Sequence, residues 1–186
     1  LLGCHCWGVD PSVQMLDKAR QRSQDVQFQL GKAEQLDYPC GSFDLVFSVD
    51  VIHHVADRLA YFQAAYRLLK PGGKLCTVTD SEDIIRRRQP LSEYFPETVE
   101  IELQRYPRIA DLRDMLLAAG FGNLLENRVE AAYALTDIQR YRDKAYSSLH
   151  LISQAAFEGG IRRMEQDLQQ HPILAVPRYL LLWGVK

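Results

Sequence analysis

Apolar and polar positions alternate through CHCWGV and stop at Asp10-Pro11-Ser12, which predicts a strand ending there. LLGCHCWGVD as a whole reads as the tail of a helix or loop running into that strand. Val13, Leu16 and Ala19 then recur at helical spacing to about Arg22, with Ser12 as N-cap and Asp10 competing for the same task. VQFQL, Val26 to Leu30, alternates as a short strand and leads into the polar GKAEQLDYPCGS. FDLVFSV, Phe43 to Val49, is almost continuously apolar, the pattern of a parallel strand buried on both faces. Asp57 opens a helix with the stripe Leu59, Phe62, Tyr66 and Leu69, and Pro71-Gly72-Gly73 stops it before the strand KLCTVT. Strand and helix alternate, so the sheet is predicted to be parallel with helices on both faces.

The second half has a different texture. Residues 81–108 are polar and aromatic, with Arg86-Arg87-Arg88 and Tyr94-Phe95-Pro96. Ile109, Leu112, Leu116 and Ala119 mark a helix closed by Gly120. Leu124 to Leu135 and Tyr179 to Val185 read as strands, with a mostly helical stretch, 136–170, between them that Gly159-Gly160 interrupts. No repeat, low-complexity tract or linker divides the chain.

Composition narrows the field. The 186 residues are 47% hydrophobic and 25% charged, which suits one globular domain with a substantial core. A formal charge of -2 gives no field to gather nucleic acid or an anionic membrane. No apolar run approaches the roughly 20 residues of a membrane helix, and no secretory leader is visible. Cys4 and Cys6 alternate along the first strand while Cys40 and Cys76 stand alone, so there is no CxxC metal spacing and no metal is expected. The expected setting is cytoplasmic, with reduced thiols.

In open α/β sheets, ligands bind beyond the carboxyl ends of the strands. Three loops leave such ends. The first presents Asp10, whose carboxylate can accept both ribose hydroxyls of a nucleoside or simply cap a helix. The second offers Lys32, Ala33 and Glu34, with backbone groups able to read an adenine edge, or is a solvated connection. The third carries Ser48, Val49, Asp50, His53 and His54. Adjacent histidines diverge on a helix, so a shared metal is not expected; one could act as a general base, or both could pack.

Three segments in order, GVDPSVQMLDKAR, GKAEQLDYPCGSFDLVFSVDVIHHVAD and LLKPGGKLCTVT, resemble signature stretches of class I S-adenosylmethionine-dependent methyltransferases. The likeness is to the broad group that includes ubiquinone/menaquinone-biosynthesis methyltransferases. It runs from about Gly8 to Asp80 and continues more weakly through YFPE, AAGF and the last strand. It implies a Rossmann-like sheet, mostly parallel with an antiparallel last strand, in a single domain over 1–186 with lid-like segments at about 81–108 and 136–170. It also implies S-adenosylmethionine as cofactor. Asp10 matches the ribose-holding acid, Pro11 and Ser12 border the adenine, and Ala33 meets the ring through its N–H. Ser48 and Val49 flank the methionine portion. Lys32 departs from the family's usual Asp; a Lys cannot accept from the adenine amino group, which turns that task to Glu34 or a backbone carbonyl. The family's first strand and GxGxG loop would lie ahead of Leu1, so the resemblance implies an N-terminally incomplete domain and an inactive 186-residue piece.

The expected activity is in-line methyl transfer to a small-molecule acceptor, with alignment and water exclusion as the main demands. His53 is the candidate base if the acceptor enters protonated. Tyr94, Phe95, Tyr106, Tyr133, Tyr141 and Tyr146 could line an apolar acceptor pocket or pack the lid helices. Arg86 to Arg88 could pair an acceptor anion or form a solvated loop. Expected partners are the acceptor alone, with no nucleic acid and no membrane insertion, and a homo-oligomer is left open. The alternatives are a non-catalytic methyltransferase-like binding or scaffold module, and a nicotinamide-dependent dehydrogenase on a related sheet.

Overall fold

A computed structural model describes residues 3–186, so the opening Leu1 and Leu2 of the predicted lead-in lie outside the described residues. Cys4 precedes the first strand rather than forming part of it: β1 is Cys6–Asp10, paired in parallel with β2, Val26–Leu30. Between them runs α1, Val13–Arg22, capped by Ser12, whose Oγ accepts the Met15 N–H at 3.3 Å. Leu16 is its buried contact.

The larger sheet has the order β3-β4-β8-β5. β3, Phe43–Val49, pairs in parallel with β4, Leu69–Thr79. The last strand, β8, Arg178–Val185, runs antiparallel to both β4 and β5, Gly122–Glu130. Its antiparallel entry agrees with the sequence expectation. The stretch predicted as one strand from Leu124 divides into β5 and the short β6, Tyr133–Leu135, which pairs with β7, Ile173–Ala175.

One face of the four-stranded sheet is packed by α2, Arg58–Leu68, and α6, Ile109–Ala118. Asp57 caps α2 by accepting the Ala60 N–H at 2.9 Å. Its buried side is Tyr61, Phe62, Ala65 and Leu68, so Leu59 falls off the predicted stripe and is exposed. The helix ends before Pro71, and Lys186 Nζ donates to the Tyr66 and Leu69 carbonyls at 2.7 Å, satisfying groups left by its last turn. Burying a side chain such as Phe62 or Leu112 in this core contributes roughly 1.5–3 kcal/mol.

β3 is not buried on both faces. Leu45, Phe47 and Val49 alternate onto one open side, where Phe47 is 66% exposed. The reason is packing: among the described residues the core lies on the other face of β3, and β1 and β2 bond to each other and not to β3. Contact between the two sheets comes from loops and rings instead. Trp7 meets Phe43 edge-on at 5.4 Å, and Arg67 donates to the Leu36 and Tyr38 carbonyls at 2.6 and 2.8 Å.

The residues predicted as lid segments build a second core. α3, Glu82–Arg86, α4, Leu91–Tyr94, and α5, Glu97–Arg105, pack with α7, Gln139–Arg142, and α8, Gln154–Leu168. α8 passes straight through Gly159-Gly160. A Cβ on Gly160 would lie inside the van der Waals envelope of the Phe95 ring and 2.7 Å from the Tyr94 carbonyl oxygen, so this glycine is a packing residue and not a helix breaker.

Candidate active site

The loops after β1 and β2 sit side by side because Asp10 pairs with Leu30 and the Gly31 N–H continues the ladder to the Asp10 carbonyl at 3.2 Å. Asp10 is half-buried, and its carboxylate accepts the Ser12 N–H at 2.7 Å. A carboxylate has about four acceptor sites, so that bond leaves capacity for two further donors. Pro11 is exposed beside it. After Gly31 the chain makes a single 3₁₀ turn, Ala33–Gln35, with exposed Lys32 at its N-cap position. The N–H groups opening such a turn have no intrahelical acceptor. This donor and acceptor set fits a nucleoside; the Lys32 ammonium, which cannot accept, leaves adenine-amino recognition to other groups.

Glu34 is committed elsewhere, its Oε1 accepting the Ala56 N–H at 3.2 Å. That bond draws the loop after β3 against the loop after β2. Ser48 accepts from the buried Tyr61 hydroxyl at 3.1 Å, and Val49 is exposed on the open side of β3. Thus Asp10, Ser12 and Ala33 gather at neighbouring strand ends, while Glu34 and Ser48 carry structural hydrogen bonds.

A cavity of about 310 Å³ opens beyond the ends of β3 and β4, between the sheet and the lid core. None of the eight residues expected to hold a cofactor lines it. Of the aromatic candidates, Tyr106, Tyr133, Tyr141 and Tyr146 do, with Tyr179 added; Tyr94 and Phe95 are instead buried in the lid core. Arg86 and Arg87 are exposed, whereas Arg88 turns inward onto the wall.

Arg88 organises the electrostatics there. It donates to Asp80 Oδ2 and has Glu102 at 3.8 Å; Glu102 also receives Arg105 at 3.2 Å. Burial pushes the Asp80 carboxyl up to about 6, against the opposing pull of Arg88. Asp50, following β3 with a left-handed φ of 53°, is likewise raised by burial, with Arg88 opposing. His53 stacks on Tyr106 at 4.0 Å, and its Nδ1 is buried without a partner. Burial, then His54 and the arginines 105, 88 and 58, hold its pKa down at about 3. At neutral pH this imidazole is uncharged and a weak proton acceptor, so the acid–base capacity of the cavity lies more in its carboxylates.

Asp80 and Glu102 escaped sequence reasoning, while Arg88 was named only as one of an arginine run open to an acceptor anion or to solvent. Asp80 had a usable signal, since it follows the carboxyl end of the buried strand β4, where ligands bind in such sheets. Glu102 had none: it reads as one acid among several on a helix.

Residues 1–77 match a family model described as "Methyltransferase domain". A phosphoethanolamine N-methyltransferase of Arabidopsis thaliana is 33% identical over 134 residues, covering 68% of this chain and 26% of that protein. A demethylmenaquinone methyltransferase of Oceanobacillus iheyensis is 32% identical over 137 residues, covering 61% of this chain and 58% of its own length. The chain therefore spans about a quarter of one such relative and under two thirds of the other. Among solved structures, phosphoethanolamine N-methyltransferase 2 of Haemonchus contortus, in complex with phosphomonomethylethanolamine and S-adenosylhomocysteine, superposes with a TM-score of 0.61 at 24% identity. It covers 99% of this chain and 44% of that one. An S-adenosylmethionine-dependent methyltransferase of Mesorhizobium loti gives 0.54 at 15% identity, covering 99% and 82%.

Proposed function

The chain has the α/β fold of class I methyltransferases and matches their domain family over residues 1–77, and from that premise we propose that it takes part in S-adenosylmethionine-dependent methyl transfer to a small-molecule acceptor. The cofactor would supply a methyl group already activated on a sulfonium sulfur. Asp10 would accept from the ribose hydroxyls, the Ala33 N–H would meet the adenine edge, and Pro11, Ser12 and Val49 would border the bound molecule. The acceptor would enter the cavity beyond β3 and β4, where the lid tyrosines exclude water and hold it in line.

The observation that carries this reading is the adjacency of the Asp10 carboxylate and the 3₁₀ turn at Ala33, fixed by the Asp10–Leu30 register. The relatives named above are a phosphoethanolamine N-methyltransferase and a demethylmenaquinone methyltransferase, so an amine and a quinone-type acceptor are both candidates. Lys32 favours a second reading, a methyltransferase-like module that binds without catalysis. Calorimetric titration of the protein with S-adenosylhomocysteine separates them: micromolar binding supports methyl transfer, and absence of heat supports the non-catalytic module.

A further inference from the structure

Every arginine facing the cavity is matched by a carboxylate. Arg88 is paired with Asp80, Arg105 behind it with Glu102 at 3.2 Å, and Arg178 with Glu130 at 3.1 Å. Arg178 is further occupied by the Arg87 carbonyl at 2.9 Å. No lysine lines the cavity. One charge is left over. The Asp50 carboxylate has no hydrogen-bond or ion-pair partner among the described residues, and it faces walls of tyrosine.

Two further polar groups wait in the same place. Ser148 is 1% exposed, lines the cavity, and its Oγ has no partner. His53, also on the wall, has an unpartnered Nδ1. A buried polar atom without a hydrogen bond is destabilising, so such groups point to a polar occupant or to ordered water.

We propose that this cavity selects a small protonated amine, with Asp50 as its counter-ion and Tyr106, Tyr133, Tyr146 and Tyr179 as its aromatic surround. The alternatives fit less well. A phosphate or carboxylate would meet no uncommitted arginine or lysine and would lie against Asp50. A neutral quinol could donate a hydroxyl to Asp50 but would bring no positive charge to balance the carboxylate. An ammonium satisfies the carboxylate, and the tyrosine-lined wall suits its carbon substituents.

This assignment rests on the methyl-transfer reading for its chemistry. The ammonium proton passes to the Asp50 carboxylate, giving a free amine and a carboxylic acid. The nitrogen lone pair then forms the N–C bond to the methyl carbon as the S–C bond of the sulfonium donor breaks, its electrons remaining on sulfur. The Asp50 proton leaves to water.

The test uses 2-phenylethylamine, its neutral counterpart 2-phenylethanol, and inorganic phosphate, each titrated by ligand-observed NMR near neutral pH. Asp50→Asn is the companion variant, chosen because Asn tolerates the left-handed backbone at this position. The amine is expected to bind at least about tenfold tighter than the alcohol, and Asp50→Asn to bring the two within about twofold while alcohol binding holds. Equal binding of amine and alcohol, an amine preference that survives in Asp50→Asn, or tighter binding of phosphate would each overturn the proposal. The separate titration with S-adenosylhomocysteine tells the two failures apart. If it binds and amine selectivity is absent, only the amine assignment falls; amine selectivity without it removes the methyl-transfer reading and leaves the amine site.

Discussion

Replacing Arg88 by Met keeps most of the side-chain volume and removes the only cation that touches Asp80 among the described residues. The Arg88 side chain is 17% exposed, and its partners Asp80 and Glu102 are 8% and 4% exposed. Deleting one partner of a buried ion pair leaves the other charge desolvated and typically costs about 3–5 kcal/mol. In a chain of this size each kcal/mol moves the melting temperature by roughly 2–4 °C, so a fall of about 6–20 °C is expected near pH 8. The loss must shrink in acid. Asp80 already titrates at about 6 in the fold, above the ordinary value of about 3.9, so its ionisation weakens the native state above pH 6. That penalty fades as pH falls through 6 toward 4. Without Arg88, whose charge holds the carboxyl down, it titrates higher still, and at about pH 5 a bound proton substitutes for much of the missing cation. Thermal melts followed by circular dichroism at both pH values check this. The exposed Arg87→Met serves as control, since its pair with Asp83 at 3.2 Å is a surface one worth under about 1 kcal/mol. A drop equal at both pH values, or one no larger than that of Arg87→Met, would refute the reasoning.

Other outcomes follow from the same geometry. Asp10→Asn retains an oxygen to accept the Ser12 N–H, so its melting temperature should barely move; its affinity for S-adenosylhomocysteine should fall at least about tenfold if the carboxylate holds the ribose, and stay put if capping is its only task. The neighbouring glycines of α8 should respond with opposite sign. Gly160→Ala drives a methyl into the Phe95 ring and the Tyr94 carbonyl and should cost about 1–3 kcal/mol in urea denaturation. A Cβ on Gly159 meets only arginine tips, at 3.6 and 4.0 Å, so Gly159→Ala should gain about 0.5–1 kcal/mol from helix propensity.

The first half of the chain was legible because its elements are short-range patterns. Val13–Arg22 and Val26–Leu30 emerge with the predicted bounds, since a cap, a 3.6 period and a strict alternation are all contained within ten residues. The misreadings share one cause. Whether Gly160 breaks a helix or admits a ring depends on Phe95, 65 positions earlier, and whether β3 is covered depends on what packs over each of its faces. His53 looked like a base because an isolated imidazole titrates near 6.5; its depressed value comes from its burial and from Arg88 and Arg105, contributed by the lid. Strand-end positions such as Asp10 and Asp50 can be read from topology alone, but not which of them face an enclosed space.

The cavity lies at the seam between two cores, and its wall is a joint product of both. Asp50, His53 and Asp80 come from the strand ends of the sheet core; Arg88, Glu102 and Tyr106 come from the lid. The Arg88–Asp80 pair and the His53–Tyr106 stack cross that seam. Bonds that set the charge of the pocket are therefore also bonds that fix the lid on the sheet. Loosening the lid would expose Asp80 to water, lower its raised carboxyl pKa, and dissolve the pairing that leaves Asp50 without an ion-pair partner among the described residues. Selectivity for a charged acceptor and closure of the lid are, on this account, a single equilibrium: whatever weakens the seam should lose amine preference in proportion to the stability it forfeits, whereas a substitution confined to either core, such as Gly160→Ala, should lower stability and leave that preference intact.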